Sequence, residues 1–225
     1  PIYSIEQKGH QTRYSIVTEY FDGRDSHLLA RQASFQQLQS MTAQLFKAVI
    51  KLHRLGYVHA DIKPGNVLAS DDFKINLIDF GMVERVSQAR KYRGSPYTRA
   101  PELHDMSPGP VNEGIDWWAF GATVAIWFYY NCNTGYHKNI DRDDAVDYVQ
   151  RAIQNFQINS QYDFTPMRWS GGRFHAQSIP SCFNDQTRAF LALFLTIDSE
   201  LREFNTEGQQ SKIRNHPFFA GFDWN

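Results

Sequence analysis

His59-Ala60-Asp61-Ile62-Lys63-Pro64-Gly65-Asn66 and Asp79-Phe80-Gly81 place chemically capable residues at short, fixed spacing. Lys63 follows Asp61 by two positions, Asn66 follows Lys63 by three, and Asp79 lies thirteen beyond Asn66. A carboxylate can orient an attacking hydroxyl, and a cation can offset charge on a migrating phosphoryl group. An amide oxygen and a second carboxylate are hard ligands of the kind Mg²⁺ takes. Asp61, Lys63 and the pair Asn66 and Asp79 supply those parts in that order, so the set points to phosphoryl transfer from a nucleotide. Alone, each of these residues reads as an ordinary turn former. Spaced as they are, they read as one kit.

The two stretches read H-x-D-x-K-x-x-N and D-F-G, and this resembles the catalytic half of the eukaryotic-type Ser/Thr protein kinase family. The resemblance implies that Asp61 aligns or deprotonates a Ser/Thr hydroxyl of a protein substrate. Lys63 then sits over the γ-phosphate of ATP, and Asn66 and Asp79 hold Mg²⁺. It also implies a structural place for His59 beneath Phe80, and for Leu68 under the adenine ring. Gly94-Ser95-Pro96-Tyr97-Thr98-Arg99-Ala100-Pro101-Glu102 resembles the family's substrate-positioning loop. Ser95 there takes the place of a hydroxyl that bonds the catalytic Asp and Lys. Thr98 stands where tyrosine is usual, with Tyr97 displaced by one. Glu102 is expected to pair with Arg202 of Asp198-Ser199-Glu200-Leu201-Arg202. Asp116-Trp117-Trp118-Ala119-Phe120-Gly121 resembles the D-x-W-x-x-G opening of the family's buried helix, its aspartate accepting from the catalytic-loop backbone. The ending from Ile213 to Trp224 looks AGC-like, whereas Arg99 before A-P-E is like another branch. Near the front, Val17-Thr18-Glu19-Tyr20-Phe21 is similar to the strand leading into the interlobe hinge. That makes Thr18 a gatekeeper, the Glu19 and Phe21 backbone an adenine contact, and Asp25 a ribose contact.

One residue of the loop departs from the pattern. Family members switched by activation-loop phosphorylation usually carry arginine before the catalytic aspartate, where a guanidinium pairs with phosphate. This chain has Ala60, so activity is expected not to need a phosphorylated activation loop.

These residues need elements to hold them. Ile2 to Ile5 alternates, Lys8-Gly9-His10 turns, and Tyr14 to Tyr20 is rich in β-branched and aromatic residues, which predicts two strands. A helix is predicted from Ser34, its cap, to Leu55, with apolar residues at Leu38, Met41, Leu45, Phe46, Val49 and Leu52 and a stop at Gly56. Tyr57-Val58, Val67-Leu68 and Lys74 to Ile78 read as short strands around the catalytic loop. Helices are expected near 116–130, 141–156, 184–196 and 206–215, with 165–181 a long Gly/Ser/Pro-rich loop. The fold class that follows is α+β, kinase-like, mainly a helical C-lobe with a remnant of the N-lobe sheet. Residues 1–21 are expected to form the last N-lobe strands and hinge, and 22–225 the C-lobe.

The 225 residues, 42% of them hydrophobic, suffice to bury one sizeable core. A net charge of -1 gives no general attraction to nucleic acid or anionic membrane. Trp117 to Tyr130 is too short a run for a membrane span, which takes about 18 apolar residues. Cys132 and Cys182 lack zinc-ligand spacing, there is no N-glycosylation acceptor or visible signal peptide, and an intracellular setting, cytoplasmic or nuclear, is expected. The chain holds no G-x-G-x-x-G loop and no V-A-I-K segment before the hinge. With Pro1 in place of an initiator methionine, we expect a piece of a longer kinase, weak or inactive alone. An N-lobe segment or an activating partner protein would complete it. Two other readings compete. A pseudokinase-type scaffold fits the missing N-lobe but has no need of the full kit. A small-molecule phosphotransferase shares the loop but not the Ala-Pro-Glu segment or the D-x-W-x-x-G helix.

Overall fold

The computed structural model describes residues 2–8, 11–88, 94–103, 111–132, 167–170, 173–176, 184–196 and 198–224, with only the backbone described for 2–16, 132 and 167–176. The expected helix near 141–156 lies outside these residues.

Strands β1 (Ile2–Lys8) and β2 (Gln11–Val17) pair antiparallel, Ile2 opposite Val17 and Lys8 opposite Gln11. The second strand stops at Val17 and not at Tyr20. Residues 18–23 are irregular, with Thr18, Glu19 and Tyr20 exposed, so β propensity there has no pleated surface to pack on. The chain then forms β3 (Arg24–Asp25) and a short helix, α1 (Ser26–Ala30), that no periodicity announced.

Helix α2 (Phe35–Arg54) begins where the sequence predicts. Ser34 Oγ accepts from the Gln37 amide while Gln37 Oε1 accepts from the Ser34 amide, a reciprocal capping box that satisfies two otherwise orphan donors. Its inner stripe of Leu38, Met41, Leu45, Phe46 and Val49 is buried. The helix ends at Arg54, with Leu55 as its C-cap, because Gly56 takes φ +80°, a left-handed value that costs glycine little. Short strands follow: β4 (Tyr57–Val58), β5 (Val67–Ala69), β6 (Ile75–Leu77) and β7 (Glu84–Arg85). β5 lies between β3 and β6, with Asp25 opposite Leu68 and Val67 opposite Leu77, while β4 pairs with β7.

Helix α3 (Gly114–Cys132) is apolar on every face and is the axis on which the other helices pack. Trp117, Trp118, Phe120, Val124, Ile126, Trp127 and Phe128 are all buried. A Cβ on Gly121 would lie 2.7 Å from Cβ of Phe194, so only glycine permits this approach. No helix among the described residues is long and apolar enough to cross a membrane. Two strands, β8 (Met167–Ser170) and β9 (Arg173–Ala176), pair antiparallel inside the stretch predicted as loop, Trp169 opposite Phe174. Aromatic and β-prone residues flanking a Gly-Gly pair are a hairpin signal, and here it outweighs the loop-like composition. Helices α4 (Asp185–Ala192) and α5 (Glu207–Arg214) are capped by Asn184 and Thr206 and close the core. There Phe190 stacks on Phe218 at 4.3 Å and Phe120 meets Phe194 at 4.7 Å.

Candidate active site

The catalytic loop leaves β4 and is fixed by α3. Asp116, fully buried in the first turn of α3, accepts from the His59 amide (2.7 Å) and the Ala60 amide (2.8 Å). A carboxylate only accepts, so His53 Nε2 on the last turn of α2 donates to the same group at 2.9 Å. The helices thus grip the loop through one side chain. Ala60 adopts φ +62°, and the grip on both neighbouring amides is what sustains that left-handed backbone. Its carbonyl faces Gly94, where an added Cβ would lie 2.5 Å from the Ala60 oxygen. Gly94 itself has φ +80°, so glycine is required there twice over.

Asp61, Lys63, Asn66 and Ser95 form one hydrogen-bonded cluster. Lys63 Nζ donates to Asp61 Oδ2 at 2.7 Å and to Ser95 Oγ at 2.8 Å. The Ser95 amide donates to Asp61 Oδ1 at 2.7 Å. Asn66 Nδ2 donates to the Asp61 carbonyl at 2.8 Å and to Oδ2 at 2.9 Å. Burial alone would push the Asp61 carboxyl up, but hydrogen bonds from Lys63 and Ser95 and the Lys63 charge outweigh it, and the net direction is below the ordinary carboxylate range. Asp61 is therefore an ionised, pre-aimed acceptor at neutral pH.

The two bonds from its amide nitrogen leave Oδ1 of Asn66 as the group that can face a cation. Ile78 N donates to the Asn66 carbonyl at 2.9 Å, which brings the end of β6, and Asp79 just past it, beside the loop. Asp79 is exposed, has φ +62°, and spends one carboxylate oxygen on the Gly81 amide at 3.3 Å. Among the described residues no group of three or more His, Cys, Asp or Glu is placed to hold a metal ion. One amide oxygen and one carboxylate fit Mg²⁺, which keeps waters and takes further ligands from substrate phosphates.

His59 packs against Phe80 with the rings tilted, centroids 5.2 Å apart, and Nε2 donates to the Ile78 carbonyl at 3.2 Å. Its Nδ1 is buried with no partner. Burial holds its pKa below the ordinary histidine value, against the pull of Asp116 and other neighbours. A histidine so depressed is neutral in the fold, and the stability this gives is present above about pH 6.5, its ordinary value, and lost as pH falls toward the lowered one. Thermal unfolding should therefore show Tm declining as pH falls below about 6.5. A His59→Phe variant should flatten that slope; an unchanged slope would mean that His59 is not the titrating group.

The remaining candidates separate into two sets. Asp25 and Leu68 are brought face to face as cross-strand partners. Thr18, Glu19 and Phe21 lie on the 18–23 segment, and among the described residues none of them hydrogen-bonds to the Asp61 cluster. Phe21 packs over Gly23, whose added Cβ would meet the ring at 2.5 Å. The expected ion pair between Glu102 and Arg202 is present, with Arg202 fully buried and also donating to the Gly114 carbonyl at 3.0 Å.

Two residues emerge that the sequence did not assign. His53 completes the Asp116 grip from 63 positions away, and only its place on the last turn of α2 could have hinted at it. Arg99 donates from Nη2 to the Gly94 carbonyl at 2.6 Å, steadying the turn that delivers Ser95. Arg99 also borders a water-sized cavity of about 10 Å³ that Ala60, Asp61 and Ser95 line.

The protein kinase domain family matches residues 2–219 of the chain. The cAMP-dependent protein kinase catalytic subunit 2 of Drosophila melanogaster is 26% identical over 199 residues, covering 88% of this chain and 49% of that protein. The mitogen-activated protein kinase kinase kinase 3 of Arabidopsis thaliana is 36% identical over 116 residues, 49% of this chain and 19% of that protein. The serine/threonine-protein kinase MRCK gamma of Homo sapiens is 28% identical over 223 residues, 93% of this chain and 13% of that protein. The chain spans about half or less of the length of these curated relatives. With a family match across nearly its whole length, on an α+β fold that is mostly helical with small sheets, the chain belongs to the protein kinase family.

Proposed function

We propose that this chain is the C-terminal part, with hinge, of an active Ser/Thr protein kinase that transfers the γ-phosphoryl group of ATP to protein hydroxyls. The observation that carries the reading is the closed cluster of Asp61, Lys63, Asn66 and Ser95, since a scaffold has no chemical use for it. In this reading Asp61 accepts the hydrogen bond of the substrate hydroxyl and aims its oxygen at the γ-phosphorus. The new P–O bond forms as the bond to ADP breaks, and the hydroxyl proton passes to the Asp61 carboxylate. Lys63 offsets negative charge on the migrating group, and Ser95 keeps Lys63 and Asp61 in register. Asn66 and Asp79 would hold Mg²⁺, which neutralises phosphate charge when bound. Thr18 borders the adenine pocket, the backbone of Glu19 and Phe21 binds the base, Asp25 the ribose, and Leu68 packs beneath the ring. A glycine-rich lobe, from the same protein or a partner, completes the nucleotide sandwich. Cytoplasmic or nuclear localisation fits the same reading.

The test is made on phosphate-free, full-length protein given γ-labelled ATP, Mg²⁺ and a Ser/Thr-rich protein, followed by phosphoamino-acid analysis. Label on serine or threonine without prior activation is expected, because Ala60 offers no guanidinium for a loop phosphate. Label that appears only after phosphorylation between Glu84 and Arg99 would sink the switch-free reading alone. No label under either condition would leave the pseudokinase-type scaffold as the better account.

A further inference from the structure

Ser26, the first residue of α1, is fully buried and polar and lies outside the Asp61 cluster. Its hydroxyl accepts from the indole Nε1 of Trp127 at 2.8 Å and donates to the Pro64 carbonyl at 3.0 Å. Trp127, on α3, is also fully buried. Pro64 opens the 3₁₀ turn Pro64–Asn66, between Lys63 and the candidate metal ligand. The same carbonyl also accepts from the Val67 amide that closes this turn. A short relay therefore runs from the central helix through Ser26 to the backbone that presents Asn66.

The direction of each bond is dictated by the groups. An indole N–H only donates and a carbonyl only accepts, so the hydroxyl must receive from Trp127 and give its own hydrogen to Pro64. The indole thus aims the hydroxyl. Helix α1 is gripped at its other end as well, where Asn131 Nδ2 donates to the Ala30 and Ala33 carbonyls at 2.8 and 2.7 Å. Asp25, next to Ser26 in the chain, pairs across the sheet with Leu68. One side chain consequently joins the nucleoside side of the site to its phosphate side.

We propose that Ser26 is a positioning residue for the metal side of the site, setting the Pro64–Asn66 turn so that Asn66 Oδ1 and Lys63 meet the phosphates. This rests on the proposed kinase reading. Removing the hydroxyl should loosen the turn, weakening cation binding to the nucleotide complex more than nucleoside binding.

The experiment measures Mn²⁺ binding by electron paramagnetic resonance on the full-length protein saturated with a non-hydrolysable ATP analogue, and adenosine binding by calorimetry. In Ser26→Ala the Mn²⁺ half-saturation should rise about tenfold, the lower end of the effect of an outer-shell partner on a metal site. Adenosine affinity should stay within about twofold, a change too small for a lost hydrogen bond. Trp127→Phe keeps an aromatic ring of smaller size, loses the aiming donor, and should shift Mn²⁺ in the same direction by less. An unchanged half-saturation in both variants, with only a lower Tm, would show the hydroxyl to be structural. Equal losses of Mn²⁺ and adenosine would mean general collapse of the site and also overturn the proposal. In either case phosphoryl transfer by the parent protein leaves the kinase reading standing. A parent protein that binds no Mn²⁺ with the analogue would remove both.

Discussion

Replacing Asp61 by asparagine should lower phosphoryl transfer about 10³-fold, within the range general for a positioned acid–base group, while leaving the chain folded. The swap is nearly isosteric, so the loss comes from charge and hydrogen-bond polarity. Three donors converge on this carboxylate: the Lys63 ammonium, the Asn66 amide and the Ser95 backbone N–H. An asparagine offers one acceptor oxygen and turns an NH₂ group toward the others, so at least one buried donor faces another donor. The substrate hydroxyl then loses its charged acceptor, and Lys63 loses the partner that holds it near the γ-phosphate. A 10³-fold loss corresponds to about 4 kcal/mol on the barrier. KM for ATP should move little, because the proposed adenine contacts lie on residues 18–25 and on Leu68. Single-turnover transfer separates the two constants. Equal rates for parent and variant would reject Asp61 as the aligning group. The pH dependence has a fixed sign as well. With the Asp61 carboxyl held below its ordinary value, its stabilising interactions are fully present above that value and fade only as acid protonates it. The stability gap between parent and Asp61→Asn should thus be constant at neutral pH and close in strong acid.

What the sequence could disclose follows from distance along the chain. Asp61, Lys63 and Asn66 lie within six positions, and their spacing is itself the signal. Asp79 joins through the short β5–β6 hairpin, still a local structure. Ser34 and Gln37 announce the start of α2 because a capping box is written in four residues. Contacts between distant segments are legible only through the family pattern, as with Glu102 and Arg202 or Asp116 and the loop amides. Where no pattern speaks, they are hidden. His53 on Asp116, Trp127 on Ser26 and Arg99 on Gly94 each depend on how two elements pack, which no periodicity encodes. Helix α1, at five residues, is too short to show a period. The strand at Tyr14 to Tyr20 is overextended for the converse reason, since propensity was legible but the absence of a packing surface past Val17 was not. The stretch 165–181 hides its hairpin because its Gly/Ser/Pro-rich composition masks the strand signal on either side of the Gly-Gly pair.

Arg202 should prove the most expensive side chain to lose for stability. Its guanidinium is fully buried, pairs with Glu102, donates to the carbonyls of Gly114 and Thr196, and lies 5.3 Å from the ring centre of Trp118. Burial holds its pKa below the ordinary arginine value, against the pull of Glu102 and Asp198, and the guanidinium still stays charged at neutral pH. In Arg202→Met the chain length is nearly preserved but no donor remains. Glu102 keeps a charge with one oxygen already buried and unpartnered, and the Gly114 and Thr196 carbonyls lose the guanidinium donors. Breaking one side of a buried pair costs about 3–5 kcal/mol. Urea unfolding should register it as a fall in midpoint of roughly 1–3 M at unchanged slope. Adding Glu102→Gln should recover part of the loss by removing the stranded charge, but not all of it, because the Gly114 and Thr196 carbonyls still lack the guanidinium donors. The specific activity of the folded fraction should hold, since Arg202 touches none of the Asp61 cluster. A variant with an unshifted midpoint and low activity would invert these roles and place Arg202 in the chemistry.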